Sequence, residues 1–329
     1  MTITRRRALL ASLGAANLGN AGLATPALAQ VPWPNQPIRI IVPFPPGGSM
    51  DTITRLLQPH LAAQLGQSVV IENRPGASGA LGTAVGARAA PDGNTWVMVF
   101  DSHTVNPSFI PNLGFDPKRD LQPVMQVGAA PMLITTHRAR PWQSLGEVIA
   151  EARRRPDTIT YGSIGVGSLA HLTMSRLQQL AGVTMVHVPY RGGGPMSAAA
   201  AAGELDMPVA SHAGLGGQVG VTLRPLAQTG ARRSSLFPDL PTVAEAGVPG
   251  IDALAWWGML APARVPAPIV ARMHAGLTTA LAVPEVRARL TGPMGVEVVG
   301  NSPEEFGAFI DRQMDTWAGV IRDNNIRPE

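Results

Sequence analysis

The sequence has no cysteine among its 329 residues. That excludes a disulfide framework, a thiolate nucleophile, an iron–sulfur cluster and a cysteine-ligated zinc. Aromatic residues are sparse, at seven Phe, six Trp and two Tyr, too few for a base-stacking surface. Charged residues make up 15% of the chain and hydrophobic ones 45%, a balance that excludes intrinsic disorder. Lysine occurs once, at Lys118, so nearly all the positive charge is arginine. Arg5, Arg6 and Arg7 lie in an N-terminal leader that holds no acid, and the rest carries 23 basic against 22 acidic side chains. A chain so balanced has no basic footprint for nucleic acid. The longest basic run, Arg153-Arg154-Arg155, ends an amphipathic helix pattern and there complements the helix dipole.

Residues 1–29 read as an export signal. The basic Thr4-Arg5-Arg6-Arg7 precedes an Ala/Leu/Gly stretch from Ala8 to Ala24, and Ala27-Leu28-Ala29 gives a small-x-small cleavage pattern. The mature chain is expected to begin at about Gln30 and to reside in the periplasm. Thr-Arg-Arg-Arg-Ala-Leu also approximates the twin-arginine pattern, with Ala8 where a bulky apolar residue is usual. No later segment has the eighteen or more consecutive apolar residues of a membrane span.

The mature chain alternates short apolar runs with helical stretches. Ile38 to Val42 is a β-branched run closed by Pro43 and the turn Pro45-Pro46-Gly47-Gly48. Ser49 or Asp51 can cap the helix that follows, in which Ile53, Leu56, Leu57, Leu61 and Leu65 recur at helical spacing. Val69 to Glu72 and Trp96 to Phe100 read as strands, with a loop and the small-residue helix Ala80 to Ala90 between them. A second set begins near Gly128. It has strands at Met132 to Thr136, Ile159 to Tyr161, Met185 to Val188, Leu205 to Ala210 and Leu226 to Thr229, with helices at Leu145 to Arg155, Leu169 to Leu180 and Met196 to Ala202. From Pro266 onward the pattern is helical. Apolar runs buried between helices imply mostly parallel α/β sheets. A tail without strands has no core of its own and is expected to pack back on the first unit. Two units joined by two crossovers leave a cleft, where small ligands usually bind.

Three loops share one chemistry: Pro43 to Ser49, Ser163 to Ser168, and Tyr190 to Gly194. Each is a Gly-rich turn after a strand that opens into a helix. Such turns face the ligand edge of an open parallel sheet, and the free N–H groups of a helix start favour an anion. A carboxylate fits there without a Lys or Arg. Gly165-Val166-Gly167-Ser168-Leu169-Ala170 also matches the G-x-G-x-x-A dinucleotide pattern, but Val186 to Arg191 supplies no acid for a ribose hydroxyl. Nothing in the sequence calls for a cofactor.

Catalytic patterns are poor. There is no H-E-x-x-H, no P-loop and no strict G-x-S-x-G. No two of the seven His are four residues apart, so no metal pair is offered. Asp101-Ser102-His103 has the residue types of a triad, but adjacent residues rarely reach triad geometry.

Read together, these segments resemble a known family. Ile38 to Gly48 with Asp51 and Arg55 looks like the opening of the Bug-type (TctC-like) extracytoplasmic solute-binding proteins. Further agreement comes from Val70 to Ala77, Pro91-Asp92-Gly93, Ser163 to Ser168 with His171-Leu172, His187 to Tyr190, Pro238 to Thr242, Glu245-Ala246-Gly247, and Trp256 with Gly258. The likeness runs in order from about Trp33 to the C-terminus. It implies an α/β two-lobed periplasmic binding-protein fold (type II), each lobe a mostly parallel sheet flanked by helices, with the ligand cleft between. Residues 30–130 with 256–329 would form the first lobe and residues 131–255 the second.

The resemblance also implies a non-enzymatic carrier for a small carboxylic acid, a di- or tricarboxylate or an aromatic acid. Its partners would be the membrane permease subunits of a tripartite tricarboxylate transporter, and the carrier would be a monomer. Carried over residue by residue, first-lobe contacts would be Phe44, Gly47, Gly48, Ser78 and Gly79. Second-lobe contacts would be Ser163, Gly165, Gly167, Ser168 and Tyr190. Asp101, Ser102, His103, Ser211 and His212 follow strands whose ends should face the cleft and are assigned the ligand's distal end. Arg191 is a secondary candidate, and Trp256-Trp257 reads as a packing anchor at the second crossover. Two other classes stand beside the carrier: an exported hydrolase using Ser102 or Ser78, and a sensor module for a membrane receptor.

Overall fold

In the computed structural model, residues 33–323 with 326 and 327 are described; the leader lies outside them. The elements in chain order are β1 (Ile38–Val42), α1 (Ser49–Leu65), β2 (Val69–Asn73), α2 (Ala80–Ala87), β3 (Thr95–Phe100), α3 (Ser102–Phe109) and β4 (Leu121–His137). There follow α4 (Leu145–Arg154), β5 (Thr160–Ser163), α5 (Leu169–Ala181), β6 (Val186–Pro189), α6 (Gly193–Ala201), β7 (Met207–Ser211) and β8 (Leu223–Gln228). The last are β9 (Leu254–Pro262), α7 (Ala267–Ala282), α8 (Pro284–Thr291), β10 (Glu297–Val298) and α9 (Pro303–Asp323).

The chain folds as an α/β structure of two lobes. β1 is apolar on both faces, with Ile38, Ile40, Ile41 and Val42 fully buried, and so belongs in the middle of a sheet. It pairs in parallel with β2 on one side and β3 on the other. α1 makes the crossover, covering the sheet with Ile53, Leu57, Leu61 and Leu65 at four-residue spacing. In the second lobe β5 pairs in parallel with β6 and β7. The strand order is β2-β1-β3-β9-β4-β7-β5-β6, with β8 and β10 also paired to β4.

The two antiparallel strands in the middle link the lobes. β4 pairs with β9 from Leu121↔Pro262 to Pro131↔Leu254, then continues beside β7 and β8 from Met132 onward. One continuous strand of 17 residues therefore serves both lobes. β9 returns antiparallel to β3, so each lobe is a parallel group bordered by one reversed strand.

Three sequence expectations need correction here, and one helix was not anticipated. β4 begins at Leu121 and not Met132, because register shifts at Pro123/Met125 and Gln126/Gly128 absorb residues that normally interrupt a ladder. The Trp256-Trp257 segment is not a bare crossover but part of β9, buried on both faces. α3 is a short helix with Pro107 inside, lacking the apolar periodicity that announces one. The C-terminal region does contribute a strand, since β10 pairs with Gly128 and Ala129 of β4.

That region packs where expected, on the first unit. α7 lies on α1, and α9 on α3 and β4. The packing reading of the two Trp also holds. Trp256 meets Phe306 and Phe309 of α9 edge-on, with centroids 5.6 and 5.5 Å away. Trp257 tilts against Phe100 at 5.4 Å. Among the described residues no helix is long and apolar enough to cross a membrane.

Candidate functional site

The loop after β1 is fastened from below by Asp51. Its carboxylate accepts the Gly47 N–H at 3.0 Å, pairs with Arg55 at 2.9 Å and accepts from Asn73 at 3.0 Å. Asn73 also donates to the Phe44 carbonyl. Burial alone would raise the Asp51 pKa, but the donors of Arg55, Asn73 and Gly47 outweigh it and hold the group below the usual carboxylate range. The Gly47 amide is thereby used within the protein. Gly48 is the residue before α1, and no side chain caps it, so the first amides of the helix are left without an acceptor of their own.

The turn Gly76 to Gly79 carries two non-glycine residues in the left-handed region, Ala77 at φ 47° and Ser78 at φ 50°. Each costs roughly 1–2 kcal/mol, so the surroundings must hold the turn. α3 does so: Ser102 Oγ donates to the Ser78 carbonyl at 2.8 Å, and Asn106 Nδ2 to the same oxygen at 3.2 Å. The Ser78 hydroxyl points the other way and donates across the cleft to the Val166 carbonyl at 2.6 Å.

In the second lobe the Ser163 to Ser168 loop is braced by two histidines. Ser163 Oγ meets His187 Nε2 at 2.7 Å, and the Gly167 N–H donates to His171 Nδ1 at 3.1 Å. The two imidazoles stack with centroids 4.1 Å apart, and His187 also stacks on Tyr161 at 4.9 Å. Burial pushes His171 down to about 4 and, with His171 beside it, His187 down to about 3. Both rings are neutral at pH 7. Ser168 caps α5 by accepting the His171 N–H.

The lobes meet in a closed arrangement. A side chain at Gly167 would overlap Phe109 of α3, and one at Gly192 would touch Pro45. Two adjoining spaces lie between them. The inner one is tight, about 490 Å³ of space between atoms counted out to its mouth. Its outer neighbour, about 1180 Å³ including its mouth, is lined by Pro45, the Gly76 to Gly79 turn, Gly165, Tyr190 and Arg191. Phe44 and Ile164 border both.

The starts of three helices converge on the inner cavity: Gly48, Ser49 and Met50 of α1, Ala170 of α5, and Gly193 of α6. No Lys, Arg or His lines it. Of the residues expected at the site, Phe44, Gly48, Asp101 and Ser211 line the inner cavity, and Ser78, Gly79, Gly165 and Tyr190 join Phe44 at the outer one. Gly47, Ser102, Ser163, Gly167 and Ser168 line neither; their polar groups hold the loops that form it. The histidines assigned to the distal end also lie elsewhere. His103 is fully buried, stacks at 6.4 Å on Phe115 and borders a separate pocket beside α9. Burial lowers its pKa to about 4. His212 lies edge-on to Phe237 and bonds to the Pro293 backbone; burial lowers its pKa in spite of that bond.

The same placements dismantle the triad. Ser102 donates to a backbone carbonyl, and neither His103 nitrogen has a hydrogen-bond partner. Sequence reasoning missed the apolar floor, Met132, Val209 and Ala255 from β4, β7 and β9. In sequence these residues are indistinguishable from core. It also missed the bracing role of His171 and His187, for which the only signal was their neighbourhood to the Gly-rich loops.

Comparison with known proteins identifies relatives of the whole fold. The family model described as "Tripartite tricarboxylate transporter family receptor" matches residues 53–326. Protein BugT of Bordetella pertussis is 34% identical over 99% of both chains. Among solved structures, R. palustris Rpa4515 with adipate is 31% identical with a TM-score of 0.86, covering 91% of this chain and all of that one. MatC from Rhodopseudomonas palustris with bound malate is 30% identical with a TM-score of 0.82, over 88% of this chain and 100% of that one. The periplasmic binding protein BugD is 29% identical with a TM-score of 0.85, over 90% and 100%.

Proposed function

Because the chain belongs to the tripartite tricarboxylate transporter family of receptors, which are binding proteins and not enzymes, we propose that it captures a small carboxylic acid in the periplasm and delivers it to a tripartite membrane permease. In this reading residues 1–29 are the export signal, residues 30–130 with 256–329 form one lobe and residues 131–255 the other. The lobes swing about β4 and β9 to enclose the acid.

One observation carries the reading: three helix starts aim at a cavity that no basic side chain lines. A helix start favours a negative charge by about 0.3–2 kcal/mol, so three contribute on the order of 1–6 kcal/mol. Micromolar binding needs about 8 kcal/mol. The remainder comes from the acid's apolar body, buried against Phe44, Phe100, Met132 and Val209. The inner cavity and its outer neighbour together offer room for a short dicarboxylate or a single aromatic acid. The relatives that hold adipate and malate favour the first.

The test is thermal unfolding of the purified protein against a panel of carboxylates and their amides. An acid at a hundred times its dissociation constant stabilises the fold by about 2.7 kcal/mol. One or more acids should raise the melting temperature while the matched amide does not. If no acid does so after refolding from denaturant, which removes any co-purified ligand, the reading fails. Delivery to a permease is tested separately, by growth on the identified acid after deletion of the gene. Unimpaired uptake would favour a sensing role.

A further inference from the structure

The two segments that join the lobes meet at one buried hydroxyl. β4 changes its neighbours on both edges at nearly the same level. On one edge β8 pairs as far as Gln228↔Leu133, and β9 takes over at Leu254↔Pro131. On the other, β7 ends at Ser211↔Met132 and β10 begins at Glu297↔Ala129. Pro131 has no N–H to give to either ladder. The link between the lobes is thus thinnest at Pro131–Met132. A space of about 600 Å³, counted out to its mouth, lies beside it and is lined by Pro131, Gly230 and Leu254.

Thr229 bridges this break. It directly follows β8 and is 0% exposed. Its hydroxyl accepts the Met132 N–H at 3.0 Å and donates to the Ala253 carbonyl. Its own N–H donates to the Met132 carbonyl at 3.0 Å, and its carbonyl accepts the Ala253 N–H at 2.9 Å. The outgoing β4 and the returning segment before β9 are therefore tied to one residue. Met132 itself and Ala255, two residues past Ala253, line the inner cavity, while Thr229 does not. A hydroxyl turns about its C–O bond and still accepts from one strand while donating to another. That suits a joint, where a few residues at element ends absorb the change in backbone angle.

We propose that Thr229 is the pivot of lobe closure, a positioning residue that keeps Met132 and Ala255 in register at the cavity floor as the lobes move. The inference rests on the two-lobed carboxylate reading and adds a residue outside the lining on which affinity depends. Without the hydroxyl, the Met132 amide and the Ala253 carbonyl lose this partner, and the two crossings shift independently.

Calorimetric titration with adipate, malate and benzoate tests it. Thr229→Val, nearly isosteric, should weaken the binding of each acid that the wild type takes at least five-fold. Thr229→Ser should stay within two-fold of the wild type. Thr135, equally buried in β4, donates to the Pro208 carbonyl inside one lobe. Thr135→Val should therefore lower thermal stability and leave affinity within two-fold. A second readout needs no ligand. The chain has no cysteine, so Leu81→Cys on α2 and Val221→Cys in the other lobe, both exposed, take a single pair of spin labels. The distance distribution between them should broaden in Thr229→Val and match the wild type in Thr229→Ser and Thr135→Val. If Thr229→Val folds poorly, Thr229→Ala replaces it under the same expectations. Unchanged affinity or an unchanged distribution in the folded variant overturns the proposal, as does equal weakening by Thr135→Val; the carboxylate reading then stands. If no acid binds the wild type, that reading falls and the label distances alone decide this inference.

Discussion

Closure of the lobes can be tested at Gly167. It sits at φ +73°, and a Cβ there would lie 2.4 Å from Cδ1 and 2.6 Å from Cε1 of Phe109. Gly167→Ala thus incurs two penalties of different kind. The left-handed backbone costs about 1–2 kcal/mol whether the lobes are open or closed, and lowers the melting temperature by ~2–4 °C per kcal/mol. The overlap with Phe109 arises only when the lobes meet, because Phe109 rides on α3 in the other lobe. Overpacking of this sort costs about 1–3 kcal/mol, which at 1.4 kcal/mol per decade weakens ligand binding by about 5- to 150-fold. Gly182 supplies the control. It ends α5 at φ +63°, and nothing lies within 4 Å of the position a Cβ would take. Gly182→Ala should lose similar thermal stability with unchanged affinity. Melting scans and calorimetry on the two variants decide the matter. Equal affinity loss in both, or wild-type affinity in Gly167→Ala, would refute the closure argument.

Ser78→Ala removes the hydroxyl that bonds the Val166 carbonyl across the cleft; a net 0.5–1.5 kcal/mol predicts a dissociation constant raised about 2- to 12-fold, read by calorimetry. Asp51→Ala strips the loop after β1 of its link to Gly47, Arg55 and Asn73. It should cost about 1–3 kcal/mol in denaturant unfolding and weaken binding as the start of α1 loosens. The buried histidines fix the sign of acid sensitivity. His103 titrates at about 4 when folded and near 6.5 when unfolded, so its contribution is present above pH 6.5 and is lost as pH falls toward 4, about 3 kcal/mol in all. His103→Phe should flatten the decline of melting temperature between pH 6.5 and 4; an unchanged slope would contradict this. Asp101 has the opposite sign, its folded pKa being raised, so it weakens the fold as pH rises above 3.8. Asp101→Asn should therefore melt higher than wild type at pH 7 without ligand, and the gap should narrow toward pH 4.

Much of the frame could be read from residue pattern. The β-branched run of β1, the four-residue spacing of α1 and the Gly-rich turns are local signals, and local forces decide them. β4 was half hidden because Pro123, Gly128 and Pro131 normally interrupt a strand; here the bulges and the pairing with β9 override that preference. β9 was hidden because an apolar stretch holding two Trp reads equally as strand or anchor, and it is both. At the site, the loops were legible and the direction of each side chain was not. Ser102 and His103 adjoin on α3, so a turn of helix sends one to the Ser78 carbonyl and the other to Phe115. Asp101 was legible as a candidate, but only the structure shows that it is wholly buried.

In the proposed binding mode, backbone at helix starts, and not a basic side chain, holds the ligand's carboxylate. A crystal structure with the acid that gives the largest thermal shift tests it most directly. Carboxylate oxygens should lie in the inner cavity, within about 2.7–3.2 Å of first-turn amides of α1, α5 or α6. A carboxylate seated instead on Arg191 in the outer space, or outside the cleft, would contradict it.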